Sequence, residues 1–70
     1  MIELRFHHAL YAGEAVDEAA KVFAPHAKLD LRDDGEHWIV AVTADPSRER
    51  RVAGELANYA LGLTVKRGAR

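Results

Sequence analysis

Cysteine is absent from the chain, so neither a disulfide nor a thiolate-bound metal can hold it together. No apolar run approaches the ~20 residues that cross a bilayer. Met1-Ile2-Glu3-Leu4-Arg5 is charged at once, and no signal peptide is readable there. These absences set the expectation of a cytoplasmic protein. Signals of catalysis are missing too. There is no glycine-rich phosphate loop. The lone serine, Ser47, sits where a helix starts and reads as a capping residue, outside any nucleophile elbow. A substrate-sized pocket is hard to build in so short a chain. The expectation is a protein that is not an enzyme and needs no cofactor.

What remains is a globular composition, 49% apolar, with a formal net charge of −1 over 70 residues. A single domain of this length buries only about 60% of its unfolded surface. With disulfides excluded, either an economical core or a partner chain must supply the rest. Charge is uneven along the chain: eight acids face four bases up to Glu36, and three acids face six bases from His37 onward. A solvated surface explains this more simply than attraction between halves.

Ile2, Leu4 and Phe6 alternate with Glu3, Arg5 and His7, the period of a half-buried strand reaching about His8. Ala9 to Gly13 turn the chain. Glu14 to Ala24 reads as a helix with Val16, Ala19, Ala20 and Phe23 as its apolar stripe, and Pro25 stops it. Ala27, Leu29 and Leu31 alternate as a second strand. Asp33-Asp34-Gly35-Glu36 is a turn signal with Gly35 free to take a positive φ. His37 to Thr43 forms a third strand, apolar on both faces: Trp38, Val40 and Val42 on one, Ile39 and Ala41 on the other. Such a strand is either central and covered twice, or covered once and facing a partner.

Asp45-Pro46 opens a long helix, Asp45 as cap and Pro46 at the first helical position. Val52, Leu56, Tyr59 and Leu63 trace its buried face. Gly54 weakens it by about 1 kcal/mol relative to alanine, which a close backbone neighbour would explain. Leu61 to Val65 either continue the helix or form a short fourth edge strand. Lys66, Arg67 and Arg70 make a basic tail. The order is β-α-β-β-α. A crossover through the first helix makes strands one and two parallel, with both helices on one sheet face. The fold class expected is α+β, a two-layer sandwich and trimmed ferredoxin-like arrangement forming a single domain over residues 1–70.

The chemistry-bearing residues are few. His7 and His8 are adjacent on a strand and point to opposite faces, so one metal cannot take both. His7, His26 and His37 meet only if strand ends converge, and no metal site is assigned. Asp33, Asp34 and Glu36 read as a solvated turn. Arg48, Arg50 and Arg51 fall in the first turns of the long helix, where its dipole disfavours cations. They either pair with Asp45, Glu49 and Glu55 or serve an acidic partner. Nucleic acid is poorly served: the net charge is slightly negative, and the strands carry no aromatic platform. A peptide- or protein-binding module fits better, by exposed apolar surface or by strand addition at a sheet edge. Its contact residues are expected to be Trp38, Tyr59, Leu61 and Leu63, with Arg48 and Arg51 facing acid.

Leu10-Tyr11, Glu14-Ala15-Val16, Glu18-Ala19-Ala20 and Phe23 resemble the first helix of HxsD, the small protein of the His-Xaa-Ser peptide-modification system. Leu29 to Gly35 followed by Trp38-Ile39-Val40 is similar to its central hairpin, and Ala53-Gly54-Glu55-Leu56-Ala57-Asn58 to its Gly-Glu-Phe-x-Asn helix. The similarity runs from about Ala9 to Val65. It implies an HxsD-like accessory protein that holds a precursor peptide or joins a radical SAM maturase in ribosomal peptide natural-product (RiPP) biosynthesis. It implies no catalytic residues. A weaker resemblance, carried by Asn58-Tyr59-Ala60-Leu61, is to Pcc1, the small dimerisation subunit of a tRNA-modifying complex. Either setting is compatible with a homodimer.

Overall fold

A computed structural model describes residues 1–66 of the chain, so the expected basic tail, apart from Lys66, lies outside the described residues. Its elements are β1 (Ile2–His7), α1 (Gly13–Phe23), a 3-10 turn (Ala24–His26), β2 (Lys28–Asp33), β3 (His37–Thr43) and α2 (Pro46–Lys66). The expected β-α-β-β-α order and α+β class are present. β3 lies between β1 and β2 and is antiparallel to both, so β1 and β2 run parallel to each other.

Period-two patterning decides the faces. Ile2 pairs with Val42, Leu4 with Val40 and Phe6 with Trp38 across β1 and β3. Leu29 and Leu31 meet Val42 and Val40 from the other side. Side chains directly opposite in an antiparallel pair share a face, so this set forms one apolar floor. Val16 and Ala19 of α1 and Val52, Ala53, Leu56 and Ala60 of α2 close over it. Most of these residues are valine or alanine, which lets the helices sit close to the sheet. This is the economical core, and the Cα envelope is only 15 Å in its thinnest direction.

Thr64 and Phe23 fix how the helices run. Thr64 Oγ1 accepts a hydrogen bond from Ala12 N–H, so the end of α2 meets the start of α1. The Phe23 ring meets Tyr59, and Phe23 shares a cleft with Val52. The two helices are therefore antiparallel. Asp45 caps α2 as expected, its Oδ1 accepting from Ser47 N–H and Ser47 Oγ–H.

Three expectations need correction. Leu61 to Val65 form no fourth strand; α2 runs on to Lys66, with Ala60 and Thr64 buried on its core face. Gly54 has no close neighbour, and a Cβ added there meets nothing within 4 Å. The outer face of β3 needs no second layer at its centre. Ile39 is 2% exposed although both helices lie on the other side. It sits between its cross-strand partners Arg5 and Arg32. Both guanidiniums are drawn to Glu3, each at 3.2 Å. Arginine stems can cover apolar surface while their heads stay in water, and that arrangement shields Ile39.

Candidate functional site

The helix pair leaves a cleft at the end of the molecule where α1 stops and α2 starts. It has a volume of about 170 Å³ and is lined by Phe23, His26, Arg48, Arg51, Val52 and Glu55. Pro25 makes this geometry. The chain cannot continue as a helix there, and the 3-10 turn swings His26 out beside the end of α1. On α2, positions 48, 51, 52, 55 and 59 recur at helical spacing, so Arg48, Arg51, Val52, Glu55 and Tyr59 form one flank beside the buried stripe. Tyr59 extends the cleft wall: its ring lies 5.9 Å from that of Phe23, edge to face, and the residue is 38% exposed.

The electrostatics of the cleft follow from where the nearby acids went. Asp45 is committed to Ser47. Glu49 Oε2 accepts from Ala44 N–H, and its Oε1 lies 3.1 Å from the Met1 amine. Neither acid forms an ion pair with Arg48 or Arg51, and Glu55 also stays apart. The expected option that these arginines are simply neutralised by Asp45, Glu49 and Glu55 is not realised among the described residues. Two unpaired guanidiniums therefore stand over the positive end of a helix dipole, beside an aromatic wall. Asp45 and Glu49 both titrate below their ordinary values. Backbone N–H donation from Ser47, then its hydroxyl, lowers Asp45. Backbone N–H donation from Ala44, then the Met1 amine, lowers Glu49.

The other expected contact residues scatter. Trp38 is half-buried at the far end, its ring centroid 4.0 Å from that of His8 with the planes tilted by 37°, and its indole lies on Gly13. Leu63 is half-buried beside the core stripe. Leu61 is 46% exposed on the side of α2 turned away from the cleft, next to Val65, which is 63% exposed. Arg48, Arg51 and Tyr59 thus belong together, and Trp38, Leu61 and Leu63 do not join them. Phe23 and Val52, singled out only as core, His26, considered only as a metal ligand, and Glu55, considered only as a partner of the arginines, are the cleft residues that sequence reasoning missed. The helix-stopping Pro25 was the available signal.

The histidines divide likewise. His7 and His37 meet as a cross-strand pair, ring centroids 4.8 Å apart, while His26 lies at the opposite end of the molecule. His7 Nδ1 accepts from Ala9 N–H, which leaves the ring proton on Nε2. His8 Nε2 comes within 3.0 Å of Asp33 Oδ1, off the line of a hydrogen bond, so that contact acts through charge when the ring is protonated. Among the described residues no three His, Asp or Glu side chains are placed to hold one metal ion. The turn acids serve the backbone: Asp33 accepts from Gly35 N–H, and Asp34 from Glu36 and His37 N–H.

Fold and cleft together define a small two-layer α+β domain with an arginine-lined groove between helix ends. No family model, no curated protein and no solved structure matches the chain. Among the described residues no helix is long and apolar enough to cross a membrane.

Proposed function

We propose that this protein is a non-catalytic, cytoplasmic accessory module that binds a precursor peptide or its radical SAM maturase during RiPP maturation, acting as a homodimer. The resemblance to HxsD supplies the setting. The observation that carries the binding reading is the unpaired couple Arg48 and Arg51 in a cleft walled by Phe23 and Val52. Cations placed against a helix dipole cost a few tenths of a kcal/mol each. Among the described residues no carboxylate pairs directly with either guanidinium, Asp45 acting on Arg48 only at longer range, and a bound partner would offset that cost. Isothermal titration of the purified chain with leader peptides of candidate precursors, and with the maturase, tests it. Saturable binding to either supports the reading; heat-silent mixing with all of them ends it. Light scattering of the dilute protein tests the dimer, which a stable monomer would rule out. The alternative is a subunit of a tRNA-modifying assembly, favoured by the exposure of Arg48, Arg50 and Arg51 within about one turn of α2. Salt-sensitive retardation of tRNA, with no peptide binding, would select it.

A further inference from the structure

We infer that the cleft at the start of α2 recognises an extended peptide of mixed charge, carboxylates against Arg48 and Arg51 and a cation against Glu55. This rests on the binding reading above and adds ligand chemistry to it. The two guanidiniums are exposed, unpaired and on one flank of α2, and His26 adds a third nitrogen base on the facing wall. Glu55 lies seven residues after Arg48 on the same flank, and it too makes no ion pair among the described residues. At ~1.5 Å rise per residue that offset is about 10 Å along the helix. An extended chain advances about 3.3 Å per residue, so a ligand laid along α2 meets Glu55 about three residues beyond Arg48. Alternate side chains of an extended chain share a face, so the favoured segment has acids at alternate positions, an apolar side chain to rest on Phe23 and Val52, and a lysine or arginine about three to four residues beyond the first acid.

Glu55 also decides against a polyanion. A nucleic-acid backbone presents a phosphate at every step and would bring one to that carboxylate. A peptide of mixed charge gains from both ends of the cleft.

The test uses short fluorescein-labelled peptides in an alanine-leucine host: one with two glutamates and a lysine at the stated spacing, one with that lysine replaced by glutamate, and one with every charge inverted. A single-stranded RNA oligomer is the fourth probe. Anisotropy is read at low salt. Each exposed ion pair adds modestly and three of them change sign between the two peptides, so the matched peptide should bind about tenfold or more tighter than the charge-inverted one. The double variant R48E/R51E should invert that preference. Glu55→Lys should weaken binding of the matched peptide and reverse the preference between it and the peptide whose lysine is replaced by glutamate. All of these positions are exposed, and circular dichroism verifies the fold. Equal binding of matched and inverted peptides, or tighter binding of RNA, overturns the inference. If leader peptides still bind in the calorimeter, that result leaves the binding reading standing, whereas silence with every peptide sinks both.

Discussion

Gly13 lies directly under Trp38: a Cβ built on it would come within 2.7 Å of Trp38 Cζ2 and 3.0 Å of Cε2. The first residue of α1 is thus the floor of the indole site, and Trp38 in turn makes a tilted ring contact with His8. Gly13→Ala should move the indole and cost about 1–3 kcal/mol, the usual range for overpacking. Denaturant midpoints followed by tryptophan fluorescence will show it, because the single tryptophan reports from the site itself. An unchanged midpoint with unchanged emission would mean the indole is not seated as described.

Gly54 is the opposite case. It sits in the middle of α2, exposed, with open space where a side chain would go. Nothing in the packing requires glycine, so Gly54→Ala should stabilise the protein by about 0.5–1 kcal/mol through helix propensity alone. Thermal and denaturant unfolding both read this. A loss of stability would show that a partner or second copy approaches the backbone there.

Thr64 is 1% exposed, and its hydroxyl accepts from Ala12 N–H at 3.3 Å. Ala12 is the N-cap position of α1 and offers no side-chain cap of its own. The bond ties the last turns of α2 to the first turn of α1. Thr64→Val keeps the shape and removes the acceptor, and should cost about 1 kcal/mol or more by stranding a partly buried donor. Thr64→Ser retains the bond and should lose less. Amide exchange at Ala12 and at residues 61–66 should quicken in the valine variant. Protection equal to the parent's would show that the bond does not secure α2.

How far the sequence disclosed these relationships depends on their range. β1 and β2 were readable because period-two alternation is local and each has one buried face. The turn at Asp33 to Glu36 was readable because its acids and glycine act on their own backbone. The end of α2 was ambiguous. Gly62, Thr64 and Val65 have weak helix propensity, and the interactions that settle the matter, burial of Ala60 and Thr64 and the bond to Ala12, reach across more than fifty residues. Ile39 was misleading for a similar reason. Its cover comes from Arg5 and Arg32, on two other strands, steered by Glu3. In the cleft, Arg48 and Arg51 stood out by their unfavourable place in the helix. Their freedom did not, since it depends on Glu49 being taken by Ala44 and Met1. Phe23 and His26 join them only through the packing of α1 on α2, which no local pattern encodes.

Acid should loosen the fold by a route that the turn and cap hydrogen bonds define. Asp34 is held below its ordinary value by N–H donation from Glu36, then from His37. Asp45 is lowered by Ser47, and Glu49 by Ala44 and the Met1 amine. Each folded carboxyl therefore takes up its proton less readily than the unfolded one. Their stabilisation is complete above the unfolded carboxylate range and is lost as pH falls through the lowered folded values. The thermal midpoint should decline as the solution is acidified below about pH 4, the ordinary carboxylate range. Asp34→Asn keeps an acceptor oxygen for Glu36 and His37 N–H but cannot titrate, so its acid limb should be shallower than the parent's. A midpoint that climbs on acidification, or an identical acid limb in the Asp34→Asn variant, would show that these hydrogen bonds do not set the acid response.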